Sequence, residues 1–125
     1  MTNTNDRKVI LAVDDSPENL DVLKSLLTPG YTVKAAINGM MALKIAGKSP
    51  PDAILLDVRM PGMDGFEVCR KLKQEESTRE IPIIFVTGED DADMRAMAQQ
   101  LGAAGVLIKP VDPVSLSDML STSLS

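Results

Sequence analysis

The chain has 125 residues, room for one domain of ordinary size around one hydrophobic core. At 44% hydrophobic and 25% charged it is too apolar for disorder and too polar for a membrane protein, and its 18 acidic against 13 basic residues leave a formal charge of −5. That sign opposes binding to a phosphate backbone, and the absence of histidine excludes Ser-His-Asp and Cys-His catalysis, histidine-ligated metals and any phosphohistidine role.

Residues 1–7 read as a polar tail and 8–125 as a single domain. The start lacks the apolar stretch of a signal peptide, and no apolar run approaches the ~18 residues of a membrane span, so a cytoplasmic protein is expected. Val9 to Val13 reads as a buried strand ending in Asp14-Asp15. Ser16 before Pro17 has the form of an N-cap with proline in the first turn, opening a helix that carries Leu20, Leu23 and Leu27 and stops near Gly30. Tyr31 to Ile37 is a weaker strand, and Gly47 is expected to end the helix after it.

Ala53 to Leu56 is a strand ending at Asp57, and Asp64 with Glu67 reads as a capping box for a helix bearing Phe66, Cys69 and Leu72. Cys69 has no partner for a disulfide and fits a packed thiol. Ile81 to Val86 is a strand running into Thr87-Gly88, followed by helical spacing at Met94, Met97, Ala98 and Leu101 and a stop at Gly102. Val106 to Ile108 leads to Lys109-Pro110, and Asp112-Pro113 opens a short, Ser-rich last helix. Met60, Met63, Met94 and Met97 fit packing better than a partner groove. Strands apolar throughout, alternating with helices, imply a parallel sheet covered on both faces.

Ligands of such sheets bind beyond the carboxyl ends of the strands. Three carboxylates (Asp14, Asp15, Asp57), the Thr87 hydroxyl and the Lys109 ammonium fall there. Clustered carboxylates repel unless a cation neutralises them, and an all-oxygen set favours Mg²⁺, with Mn²⁺ as a substitute. A carboxylate beside such an ion, with a lysine and a hydroxyl to receive phosphoryl oxygens, suits phosphoryl transfer onto Asp57.

The Val13-Asp14-Asp15-Ser16 turn, the Leu55 to Gly65 segment around Asp57, Val86-Thr87-Gly88 and Lys109-Pro110, in this order and spacing, resemble the response-regulator receiver domains of two-component signalling. The resemblance spans Lys8 to Leu120 and implies an α/β flavodoxin-like doubly wound fold: five parallel strands in order 2-1-3-4-5, with five helices. It further implies Asp57 as phosphoacceptor, and Asp15, Asp57 and the Arg59 backbone carbonyl as Mg²⁺ ligands, with Asp14 acting largely through water. Thr87 and Lys109 would contact the phosphoryl group, and Lys109-Pro110 would be a cis peptide. Arg59 and Glu89 hold positions that in the family flank the site and tune phosphoryl lifetime, and could pair across its mouth. Val106 stands where the family usually has an aromatic switch residue, and Val111 replaces an aromatic common after Lys-Pro.

The implied partners are a histidine kinase or phosphotransfer protein and a downstream output domain or target, the latter met through helix 4, strand 5 and helix 5, which is also the usual dimer surface. Such a domain catalyses its own phosphorylation and dephosphorylation without being a metabolic enzyme. Two other readings, a phosphohydrolase with an Asp nucleophile and a nucleotide-binding flavodoxin-like domain, fit less well. A phosphohydrolase lacks the second carboxylate two residues beyond Asp57, and Asp15-Ser16-Pro17-Glu18-Asn19 lacks the glycines of a nucleotide-binding turn. A phosphorylation-independent receiver-like interaction module stays open.

Overall fold

Every residue of β3 (Ala53–Asp57) and β4 (Ile83–Thr87) is buried, and β1 (Val9–Val13) is buried from Ile10 onward. Such strands belong inside a sheet covered on both faces. They form the centre of a five-stranded parallel sheet of order β2-β1-β3-β4-β5, with β2 (Thr32–Ala36) and β5 (Gly105–Ile108) at the edges. The computed structural model describes residues 7–124, so most of the expected polar tail lies outside the described residues. Helices α1 (Pro17–Leu27), α2 (Gly39–Lys48), α3 (Gly65–Gln74), α4 (Ala92–Gln100) and α5 (Pro113–Leu124) alternate with the strands. This is the flavodoxin-like architecture and strand order that the resemblance implies.

Alternation along each strand divides the core in two. Leu11, Val13, Ile54, Leu56, Ile83 and Phe85 face α2, α3 and α4; their cluster includes Ala42, Ala46, Val68, Cys69, Leu72 and Ala98. Ile10, Ala12, Ala53, Leu55, Ile84 and Val86 face the other way, against Leu20, Leu23 and Leu27 of α1 and Leu116 and Leu120 of α5. Phe66 meets Phe85 edge-on at 5.2 Å, fixing the first turn of α3 against β4. No helix among the described residues is long and apolar enough to cross a membrane.

Helix starts follow the capping rule. Ser16, Asn38, Asp64 and Asp91 accept hydrogen bonds from the backbone N–H groups of Asn19, Met41, Glu67 and Met94, and Asp112 does the same for Ser115. Only half of the expected capping box at Asp64 forms, because the Glu67 carboxylate pairs with Arg70 and Lys71 instead.

Several boundaries differ from the sequence reading by a residue or two, β2 ending at Ala36 rather than Ile37 and β5 beginning at Gly105 rather than Val106, and three of them have clear local reasons. The strand expected from Ile81 begins at Ile83, since Pro82 has no N–H for the ladder and Ile81 donates to Thr78 in the preceding turn. The strand expected from Tyr31 begins at Thr32, because the Tyr31 N–H closes the end of α1 on the Leu27 carbonyl. Gly47 does not stop α2; the helix continues to Lys48, and the Ser49 N–H closes it on Ile45 just before Pro50-Pro51. Of the three glycines expected at helix ends, only Gly102 takes a positive φ, 80°.

Candidate functional site at the carboxyl edge of the sheet

Strand register builds the site. Val13 pairs with Leu56, so Asp14, the next residue after β1, stands level with Asp57 at the end of β3. Asp57 pairs with Val86 and Thr87 with Ile108, which brings Thr87 and Lys109 to the same edge. The Asp14 N–H donates to the Ala36 carbonyl and the Lys109 N–H to the Thr87 carbonyl, extending the ladder one step into the site on both sides. All five expected side chains converge: Asp14, Asp57 and Thr87 are buried, Lys109 is half-buried and Asp15 is exposed.

One carboxylate oxygen from each of Asp14, Asp15 and Asp57 lies within 4.8 Å of the other two, a set able to hold a metal ion. Lys109 Nζ donates to Asp14 Oδ2 at 3.0 Å and to Asp57 Oδ1 at 3.4 Å. The Lys109-Pro110 bond is cis, as the resemblance implies. Thr87 Oγ1 accepts from the Glu89 N–H at 3.2 Å, which leaves the hydroxyl proton available to a second partner.

Negative charge is in excess at the site. Burial, and then the neighbouring Asp14 charge, hold the Asp57 carboxyl above its ordinary value; the Lys109 charge and hydrogen bonds from Lys109 and the Arg59 backbone only partly offset this. Burial works against the Lys109 charge, but its hydrogen bond to Asp14 and the charges of Asp57 and Asp14 outweigh that and hold the ammonium above the usual lysine range. One ammonium is thus set against three carboxylates. The all-oxygen donor set and this excess of charge fit a hard divalent cation.

Arg59 Nε and Glu89 Oε1 pair at 2.7 Å, linking the loop after β3 to the loop after β4. Beside this bridge a cleft of about 770 Å³ lies between the β3–α3 loop and α4, with Met60, Met94 and Met97 among its lining. Met60 and Met94 are nonetheless buried, as packing residues would be. Val106 is half-buried against the cluster that contains Phe85 and Ala98. Cys69 is fully buried, and burial pushes its thiol up, so it sits as an inert core group.

Two glycines shape the loop that carries Arg59. Gly62 has a φ of 77°, open to glycine at little cost. Gly65 lies so close to the end of β3 that an added Cβ would collide with the Asp57 carbonyl oxygen and come within 2.9 Å of Val58 Cα. Its N–H donates to the Val58 carbonyl at 2.9 Å, drawing the start of α3 against the end of β3.

Asn19 is the site residue that sequence reasoning missed. Its Nδ2 donates to Asp14 Oδ2 at 3.2 Å. The signal available was positional: with Ser16 as N-cap, Asn19 occupies the third position of α1 and lies one turn from the helix start, close to Asp14.

The family model for the response regulator receiver domain matches residues 10–121. The chain is 47% identical over 108 residues to the response regulator PleD of Caulobacter vibrioides, an alignment covering 86% of this chain and 24% of PleD. It is 36% identical over 117 residues to protein PilH of Pseudomonas aeruginosa, covering 93% of this chain and 97% of PilH. The chain therefore spans about a quarter of PleD and nearly all of PilH. The chemotaxis protein CheY4 of Vibrio cholerae has the same fold, with a TM-score of 0.89 at 34% identity over 94% of this chain and 99% of CheY4. Sequence and fold agree, and the chain belongs to the response regulator receiver domain family.

Proposed function

We propose that the chain is a phosphorylatable switch, which takes a phosphoryl group from a histidine kinase or phosphotransfer protein onto Asp57 in a Mg²⁺-dependent reaction. The observation that carries this reading is the convergence of three carboxylate oxygens within 4.8 Å with Lys109 bonded to Asp57. Asp15, Asp57 and the Arg59 carbonyl would hold the ion directly and Asp14 through water. Bound Mg²⁺, or Mn²⁺ in its place, supplies neutralisation of the carboxylates and of the incoming phosphoryl oxygens.

The chain's own groups do the rest. An ionised Asp57 oxygen attacks phosphorus, the bond from phosphorus to the donor nitrogen breaks, and the imidazole leaves with the bonding pair. The new group adds roughly one negative charge and further acceptor oxygens at a place where burial already disfavours charge. Lys109 has a donor near that position, and the Thr87 proton is free to turn toward it while Oγ1 keeps the Glu89 N–H. A turn of Thr87 would move the β4–α4 loop, so a signal can pass to α4 without an aromatic at Val106. The surface of α4, β5 and α5 would then meet an output domain, a target or a second receiver.

The Arg59–Glu89 bridge acts in this reading as a partial lid that restricts the water able to hydrolyse the aspartyl phosphate. Intact-mass spectrometry after incubation with acetyl phosphate tests the function. One phosphoryl adduct that needs Mg²⁺ and is lost in Asp57→Asn is the expected result. No adduct from acetyl phosphate or a donor kinase would overturn it and leave a phosphorylation-independent receiver-like interaction module.

A further inference from the structure

Asp14 is 1% exposed, yet neither of its oxygens is idle. Oδ1 accepts from the Ser16 N–H at 2.9 Å, while Oδ2 accepts from both Asn19 Nδ2 at 3.2 Å and Lys109 Nζ at 3.0 Å. Three donors fill most of the roughly four acceptor sites of a carboxylate, which leaves room for about one more, such as a water. Lys109 in turn is divided between Asp14 at 3.0 Å and Asp57 at 3.4 Å, leaning away from the acceptor. What competes with Lys109 for Asp14 Oδ2 is the Asn19 amide.

We infer that Asn19 is a positioning residue: by occupying Asp14 Oδ2 and fixing the plane of that carboxylate, it sets how Lys109 is shared between Asp14 and Asp57. The argument is one of competition between donors. A neutral amide takes part of the acceptor strength of Oδ2, which weakens Asp14's hold on the ammonium without adding charge to the site. The Ser16 N–H is backbone and fixes only Oδ1, so without the amide Oδ2 answers to Lys109 alone. The charge-assisted bond to Asp14 then shortens at the expense of Asp57. Asn19 is half-buried on the first turn of α1, a rigid element docked through Leu20 and Leu23, so its amide is held at this point. The inference rests on the proposed function only for its kinetic consequence, because the sharing of Lys109 exists before any phosphoryl group arrives.

Asn19→Leu removes the donor at similar volume, and Asn19→Gln keeps an amide. In the metal-free protein, side-chain NMR of the Lys109 ¹⁵Nζ and the Asp57 ¹³Cγ is expected to shift in the Leu variant and to stay near wild type in the Gln variant, with both still folding cooperatively. With saturating Mg²⁺ and acetyl phosphate, the Leu variant is expected to take up phosphoryl about tenfold more slowly, the rate equivalent of one weakened charge-assisted hydrogen bond. The loss is expected to persist when Mg²⁺ is raised further, whatever the midpoint. Unmoved Lys109 and Asp57 signals, a rate loss that disappears when Mg²⁺ is raised further, or a Gln variant as impaired as Leu would each overturn the assignment. Failure of wild type itself to take up phosphoryl would sink the proposed function, and the metal-free spectra would still decide the placement of Lys109.

Discussion

A carboxyl group that is 5% exposed, beside another that is 1% exposed, carries a charge the fold would be steadier without. The native Asp57 carboxyl holds its proton to higher pH than the unfolded one. In the interval above the ordinary value of 3.8 the native state therefore binds more protons, and stability falls as pH rises through it. Asp57→Asn is expected to unfold a few degrees above wild type at neutral pH in chelator, with the gap closing on acidification below that ordinary value; circular dichroism melts check this. Lys109 does not reverse the sign, since it keeps Asp14 as partner in the variant. Arg59 and Glu89 make the opposite case. Their side chains are 75% and 50% exposed, so breaking the pair changes stability by less than about 1 kcal/mol. Arg59→Ala and Glu89→Ala are instead expected to speed loss of phosphoryl from Asp57 a few-fold, each by a similar factor and the double variant by no more; equal decay in wild type and variants would dismiss the lid. Asp14, Asp57, Thr87 and Lys109 were legible in sequence because the ends of parallel strands must share an edge. Asn19 was not, because its contact depends on how α1 docks, which spacing alone does not fix.

Elements were legible where burial was one-sided in type. Strands β1, β3 and β4 announce themselves because both faces are apolar, whereas β2 and β5, with only one fully buried residue each, leave weaker patterns. Glycine was the least legible signal, since the same residue marks a close approach in one element and open solvent in another. Gly65 and Gly47 separate the two cases. At Gly65 a methyl group would meet backbone at the end of β3, which cannot move without shifting Asp57. Gly65→Ala is therefore expected to lose about 2 kcal/mol, typical of overpacking, and to slow phosphoryl uptake as well. At Gly47 nothing lies within 4 Å of an added Cβ, and the residue is helical without a positive φ. Gly47→Ala is expected to gain up to about 1 kcal/mol from helix propensity and leave uptake unchanged. Urea denaturation of both variants checks the pair; two losses of similar size would mean that the close approach at Gly65 is not what sets its effect.

On the scale of the whole molecule, two half-cores flank the sheet while its carboxyl edge collects unbalanced charge, so stability and the proposed phosphoryl acceptance pull against each other at Asp57. A cation binding that edge and not the unfolded chain adds RT ln(1 + [L]/Kd), about 1.4 kcal/mol at a free concentration roughly ten times Kd. Under the proposed function protons and cation would compete for the same buried carboxylate, so the apparent Mg²⁺ affinity is expected to rise with pH through the elevated Asp57 value and level off above it. The same competition predicts a crossover. In chelator the Asn variant is the more stable of the two, because it lacks the buried charge. As Mg²⁺ is added, wild type gains and Asp57→Asn, deprived of one of the three clustered carboxylates, gains little, so the order of their melting temperatures narrows and then reverses. A titration of both melts with Mg²⁺ at neutral pH checks this. Parallel gains in the two proteins would place the cation away from Asp57, because a ligand that never meets the substituted carboxylate cannot tell the two chains apart.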